Sequence, residues 1–203
     1  LNNIRYRGST VRVHFALNGL LEIKGVTKEQ MGTVFSISPS IEYLERASDS
    51  VKYGRLPDNP YVEFTIPSVI NPKFAPNGKH VLSATVQYAP YHLRGMNWSE
   101  ELKSQLKNNV VSVLENYIPN FSSMIESSSL LTPVDLESQF GLTEGNLNHG
   151  EMTLDQFMFM RPTISSAQYK SPIENLFLCG PGTHPGGGLH GTNGFNAARE
   201  ILK

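Results

Sequence analysis

The chain has 203 residues, 17 Lys+Arg against 18 Asp+Glu, and a net charge of −1 at pH 7. That length can bury a sizeable core, as one large domain or one and a half, and the balanced charge lacks the basic footprint of a nucleic-acid binder. The one cysteine, Cys179, excludes an internal disulfide, a Cys-x-x-Cys redox pair and a cysteine zinc site, and fits a reducing compartment.

No apolar run approaches the ~18–20 residues that span a bilayer, and the first residues do not read as a signal peptide. The opening Leu1-Asn2-Asn3 carries no initiator methionine, so a fragment or processed product of something longer is expected. Val11, Val13, Phe15 and Leu17 alternate with Arg12, His14 and Ala16, which predicts a half-buried strand ending at Asn18-Gly19. A second strand is expected at Thr33 to Ile37. Ser38-Pro39 reads as N-cap and first residue of a helix with Ile41, Leu44, Ala47 and Val51 on one face and Gly54 as its stop. Tyr61 to Ile66 and Val81 to Tyr88 predict strands, separated by the loop Pro67 to Lys79. Tyr88, Tyr91, His92 and Trp98 surround Pro90 in an aromatic loop that reads as a packed turn, with a substrate lid as the alternative.

Ser99 caps the clearest helix, with Glu100 and Glu101 in its first turn, an apolar stripe of Leu102, Leu106, Val110, Val113, Leu114 and Tyr117, and Pro119 beyond it. Met124 to Leu131 predicts another strand. Thr132-Pro133-Val134-Asp135 starts a short helix with a near capping box, ended by Gly141. Strands mixed with helices, without regular βαβ alternation, predict an α+β body on a mostly antiparallel sheet. Leu176 to Cys179 differs: it is apolar throughout, as in a strand covered on both faces of a parallel sheet. Its neighbours are expected in sequence that precedes Leu1 in the intact protein.

The most informative segment follows that strand. Gly180, Gly182, Gly186, Gly187, Gly188, Gly191 and Gly194 crowd ahead of a helix expected from about Asn193 to the end. Glycines at that density let the backbone approach a ligand, and a helix start aims unpaired N–H groups and the positive dipole end at one point. Thr183-His184-Pro185 puts stiff residues among the glycines, which a mere linker does not need. An anionic or electron-rich ligand belongs there.

Cys179-Gly-Pro-Gly-Thr-His-Pro-Gly-Gly-Gly, then Gly191-x-x-Gly194 and Asn196-Ala-Ala, resembles the C-terminal FAD signature of the phytoene desaturase-like flavoproteins. Glu151-x-x-Leu154-x-Gln156-x-x-x-x-Arg161-Pro162 resembles the segment that precedes it. Ala47 to Arg55, Thr65-Ile-Pro-Ser, Val86 to His92 and Gly141 to Met152 are similar to the branch of phytoene dehydrogenase-like proteins that includes the "pyridine nucleotide-disulphide oxidoreductase domain" proteins. The resemblance implies an FAD-dependent oxidoreductase, with residues 1–165 as a substrate domain and 166–203 as the last strand and helix of a Rossmann-like FAD-binding domain. The N-terminal Gly-x-Gly-x-x-Gly fingerprint and the ribose-binding acid are absent from this chain, and the "disulphide" of the name finds no cysteine pair.

The resemblance places Gly180, Gly182 and Thr183 near the pyrophosphate and ribityl chain of FAD, and Gly187, Gly188 and Leu189 against the isoalloxazine. Gly191 to Gly194 would present N–H groups to its N1/C2=O edge. His184 and Gly186 complete the cofactor-binding set, with His184 as loop stabiliser or flavin contact. Catalytic candidates are His149 as a proton carrier, Arg161 as an orienting group and His184. The bland readings are that Asp155 caps a helix and Arg161 pairs with a carboxylate. His184 and His190 lack a third ligand, so no metal is expected.

Met152, Phe157, Met158, Phe159 and Met160 read as core, or as the wall of an apolar substrate tunnel. The expected chemistry is hydride transfer between an apolar C–H or C=C substrate and flavin. Alternatives are an amine-oxidase-like or retinoid-saturase-like flavoprotein, or a non-catalytic binding protein that keeps the fold. Expected partners are the missing N-terminal FAD-binding part, an apolar small molecule, a membrane surface for peripheral contact and a second copy, with no nucleic acid. The expected compartment is the bacterial cytoplasm or the eukaryotic mitochondrial matrix.

Overall fold

The computed structural model describes residues 3–203, and Leu1 and Asn2 lie outside the described residues. Two compact units are present: Ser9–Leu136, and the N-terminal residues through Gly8 together with Glu137–Lys203. Residues 137–165 therefore pack with the C-terminal segment.

Ser9–Leu136 is built on a five-stranded sheet of β1 (Thr10–Leu17), β2 (Phe35–Ile37), β3 (Tyr61–Thr65), β4 (His80–Gln87) and β5 (Ile125–Leu131), in the order β2-β3-β4-β1-β5 with every pairing antiparallel. The period of two decides which side chains go inside. Val11, Val13, Phe15 and Leu17 of β1 are fully buried, as are Val62 of β3 and Leu82, Ala84 and Val86 of β4. The fold is thus the expected α+β class on a mostly antiparallel sheet.

The same unit holds α1 (Ile41–Lys52), the short α2 (Pro67–Ile70), α3 (Glu100–Glu115) and α4 (Phe121–Met124). α3 lays Leu106, Val110, Val113 and Leu114 into the core, and the Ser99 side chain accepts the Leu102 N–H as its cap. Beyond it Phe121 is fully buried and meets Phe15 edge to face, with centroids 5.2 Å apart at 80°. α5 (Pro133–Phe140) begins with the expected capping box, with aspartate in the usual glutamate place. The Asp135 N–H donates to Thr132 Oγ1 at 3.1 Å and the Thr132 N–H to Asp135 Oδ2 at 2.9 Å. In the aromatic loop Trp98 Nε1 donates to Pro90 O at 3.1 Å and Tyr91 meets His92 edge to face, which is a packed turn.

Two expectations are corrected. α1 starts at Ile41 with Ser40 as its cap, not Ser38: Ser40 is the residue held extended with its hydroxyl accepting the Tyr43 N–H at 3.1 Å. Ile41 consequently falls off the buried stripe and is 75% exposed, while Ala47 is buried. Leu176 to Cys179 is not a strand among the described residues. It makes one antiparallel bridge, Lys170 with Phe177, and its amides go to the adjacent turn: Leu178 N to Tyr169 O at 2.8 Å and Leu176 N to Ile173 O at 3.2 Å. A parallel strand takes its bonds from neighbouring strands, and here a local turn supplies the acceptors while Leu176 and Cys179 stay exposed.

Truncating Phe121 removes the largest ring from the interface between α4 and β1. Phe121→Ala is expected to lower unfolding stability by about 3–5 kcal/mol, read as a drop in the urea midpoint at unchanged m-value.

Candidate functional site

In the C-terminal unit, the glycine loop leads into α6 (Thr192–Ile201), whose N-cap is Gly191. The residue that organises the loop is Asn193, in the first turn of α6 and 5% exposed. Its Nδ2 lies 2.8 Å from Gly180 O, 3.0 Å from Thr183 O and 3.2 Å from Gly186 O. Thr183 is also buried, and its N–H and hydroxyl both donate to Gly180 O, at 3.1 and 2.8 Å.

In a trans peptide the carbonyl and the following N–H point opposite ways. With the Thr183 and Gly186 carbonyls turned in toward Asn193, the amides of His184 and Gly187 point away from it. Among the described residues the N–H groups of Gly187, Gly188, Leu189, His190 and Gly191 find no acceptor in the chain. Gly188, Leu189, His190 and Gly191 are exposed, Leu189 completely. The loop turns its acceptors inward and its donors outward, which is what a cradle for an electron-rich ligand requires.

The loop leans on the segment before it. Gly186 has φ 127°, and a Cβ there would stand 3.2 Å from Met152 Cε and 3.5 Å from Phe157 Cε2. A Cβ on Gly187 would lie 2.7 Å from Asn148 Cγ. Tyr169 donates its hydroxyl to His184 O at 2.8 Å and receives Asn196 Nδ2 at 2.9 Å. The His184 imidazole keeps one buried, unpartnered atom, Nδ1, which leaves a polar group in the loop with bonding capacity to spare.

His149 sits against Gly182, whose Cβ would fall 3.6 Å from that of His149. Both line a cavity of about 230 Å³ with Tyr6, Gln156, Arg161 and Pro162. Arg161, another catalytic candidate, is 3% exposed. Its Nε donates to Gln156 O (2.7 Å), Nη1 to Asn148 O (2.6 Å) and Pro181 O (2.7 Å), and Nη2 to Gly150 O (2.6 Å) and Glu151 O (2.9 Å). A guanidinium has five N–H groups, and backbone carbonyls take all of them. Arg161 therefore neither pairs with a carboxylate nor has a donor left for a ligand: it ties residues 148–156 to Pro181, where the glycine loop begins. Burial pushes its pKa down, against the ordinary arginine value.

The carboxylates of this region have other partners. Glu151 is held by Arg7 through Nε and Nη2 and by Arg5 Nε at 3.4 Å. Asp155 pairs with Arg5 Nη2 at 2.8 Å and does not cap a helix, since it lies inside a short 3₁₀ turn. Sequence reasoning missed Asn193, Asn148, Arg5 and Arg7.

No family model matches the chain. Over 161 residues it is 42% identical to pyridine nucleotide-disulfide oxidoreductase domain-containing protein 2 of Rattus norvegicus, covering 79% of this chain and 28% of that protein. It is 31% identical over 142 residues to 4,4'-diapophytoene desaturase of Staphylococcus aureus, covering 67% of this chain and 27% of the desaturase. The chain belongs to this oxidoreductase family. It spans about 28% of the length of the rat relative. A solved structure of an oxidoreductase from Methanosarcina mazei covers 99% of this chain and 35% of its own, at TM-score 0.47 and 12% identity.

Within this chain, Arg161 and Glu151 separate by measurement. Arg161→Met strands buried carbonyls and is expected to cost about 3 kcal/mol or more. Arg161→Lys recovers little of it, because an ammonium gathers three donors at one point; thermal unfolding reads both. Arg7, ahead of Arg5, holds the Glu151 carboxyl below its ordinary 4.5. The depressed value means the pair stabilises fully above 4.5 and is lost as pH falls through the lower folded-state value. Glu151→Gln is expected to destabilise by about 1 kcal/mol near neutrality, with the difference from the parent shrinking in urea melts as pH falls below 4.5.

Proposed function

We propose that this chain is the C-terminal part of an FAD-dependent oxidoreductase that acts on C–H or C=C bonds. It supplies the substrate domain and the closing segment of a Rossmann-like FAD-binding domain, the rest of which lies elsewhere in the protein. One observation carries this reading: the run of N–H groups from Gly187 to Gly191 that find no acceptor among the described residues, the first of them turned outward by the grip of Asn193 on the Gly186 carbonyl.

The residues present fit the cofactor. Gly180 and Gly182 give close backbone approach for the pyrophosphate and ribityl chain, Gly180 having nothing within 4 Å of the Cβ it lacks. Thr183, buried, shapes the loop rather than touching the ligand. Gly187, Gly188 and Leu189 would face the isoalloxazine, and the N–H groups at Gly191 to Gly194 its N1/C2=O edge. Bound FAD supplies the hydride acceptor. The chain's own amides act on charge: donors already oriented stabilise the negative charge of a reduced flavin without rearrangement. Leu189, fully exposed, and the apolar Met152 and Phe157 under Gly186 would cover that side of a bound ring. His149, beside Gly182, is placed to hold or pass a proton near the loop.

The full-length protein is expected to purify yellow, with flavin absorption bleached by dithionite. Gly187→Val, whose branched Cβ collides with Asn148, is expected to purify without flavin while keeping its far-ultraviolet dichroism. A colourless parent protein that also ignores added FAD would sink the proposal.

A further inference from the structure

The sheet of Ser9–Leu136 buries one face; the chemistry of the other is unusual. Its register sets Arg12 opposite Thr85 and Leu131, His14 opposite Ser83 and Ser129, and Ala16 opposite Val81 and Ser127. The β1 and β4 positions are half-buried. Arg12 leans over β4, donating Nη1 to Thr85 Oγ1 and Nη2 to Ser83 Oγ at 2.9 Å.

Both acceptors are neutral. Arg5 and Arg7 face carboxylates and Arg161 is saturated by carbonyls, but among the described residues no carboxylate forms an ion pair with Arg12. Glu63 stands across from Thr85 on β3, yet no acid acts on the Arg12 charge. Burial alone pushes the Arg12 pKa down, with no acid opposing the effect. A half-buried cation without a counter-charge is costly, and two of the five guanidinium N–H groups are used, so three remain.

We propose that Arg12 anchors a monoanionic carboxylate ligand on this outer face of the sheet. The planar fork matches a carboxylate in two parallel hydrogen bonds. One cation balances one negative charge: burial and the nearby Arg12 hold the His14 pKa below the ordinary imidazole value, so His14 adds a hydrogen-bonding ring and no second charge. Thr85 and Ser83 fix the guanidinium from behind. The body of the ligand runs past His14 and Ser83 to Ala16 and Val81, the small apolar pair of this face with Ser127 at its side, roughly 13 Å along β1. The class that fits is an apolar acid of medium chain length. Calling that acid the substrate rests on the flavin reading above; its binding at Arg12 does not.

The test is calorimetric titration of full-length protein with octanoate, and with 1-octanol and octylamine as uncharged-alcohol and cationic controls. Octanoate is expected to bind the parent, at least tenfold more weakly to Arg12→Gln, and with intermediate affinity to Arg12→Lys. Both controls are expected to bind at least tenfold more weakly than octanoate. Ser83→Ala with Thr85→Val, which removes the props and keeps the cation, is expected to weaken octanoate severalfold and serves if Arg12→Gln fails to fold. Unchanged octanoate affinity in Arg12→Gln, octanol binding as well as octanoate, tighter binding of inorganic phosphate, or no binding of hexanoate, octanoate or decanoate each overturns the site. Flavin colour in the same preparations separates the readings. A colourless protein that ignores added FAD yet binds octanoate through Arg12 removes the flavin alone, and a yellow one indifferent to Arg12→Gln removes the carboxylate alone.

Discussion

A loop of many glycines has little side-chain surface to bury, so its shape must come from hydrogen bonds to its own backbone. In this protein four side chains provide them, Asn193 and Arg161 together with Thr183 and Tyr169. Asn193 reaches three carbonyls of the loop from inside the first turn of α6, and Arg161 reaches the carbonyl of Pro181 together with four from residues 148–156. A buried carbonyl left unpaired costs on the order of 1–3 kcal/mol. These side chains, with Asn193 making most of the bonds, hold the loop in one conformation.

The choice of donor-rich side chains has a directional consequence. An amide or guanidinium that collects carbonyls leaves the N–H groups of the same peptides facing the opposite way. The loop could have been closed by its own amides, and the result would have been an inert turn. Closing it with Asn193 spends side-chain donors on the carbonyls and frees backbone donors for a ligand. Asn193 has two N–H donors for several acceptors within range, so the bonds are shared; Thr183, donating twice to Gly180 O, takes part of the load.

What could be read from sequence follows the range of the interactions. The strands of Ser9–Leu136 were legible because alternation at Val11, Val13, Phe15 and Leu17 is a local record of burial, and α3 and α5 because Ser99 and the Thr132–Asp135 box satisfy amides within the next turn. α1 was misplaced by two residues because Ser38 and Ser40 are both plausible caps and only the backbone angles separate them. The glycine loop was legible as a site, but the residues that shape it were not. Asn193 looks like any polar residue at a helix start. The partners of Glu151 lie 144 and 146 residues away, where no spacing rule operates. Leu176 to Cys179 misled for a related reason: an apolar run records a preference for burial, while strand formation also needs a neighbour to bond.

The two faces of the sheet show how stability and function divide one element. On the inner face every residue of β1 from Val11 to Leu17 that points inward is fully buried, and any polar substitution there loses packing with nothing in return. The outer face gains little from packing: Ser83, Thr85, His14 and Arg12 are half-buried polar groups where alternating threonine and valine would have served a sheet better. Arg12 is the most costly of them, since its charge is partly desolvated and its acceptors are neutral hydroxyls. A half-buried cation at a position the fold does not require, held in one orientation by two hydrogen bonds, has the form of a binding group rather than of a packing one. The physical distinction is preorganisation: a solvated surface arginine wanders among rotamers, whereas this one is fixed across β4 with donors unspent. An anion arriving there meets a site whose ordering has already been done by folding.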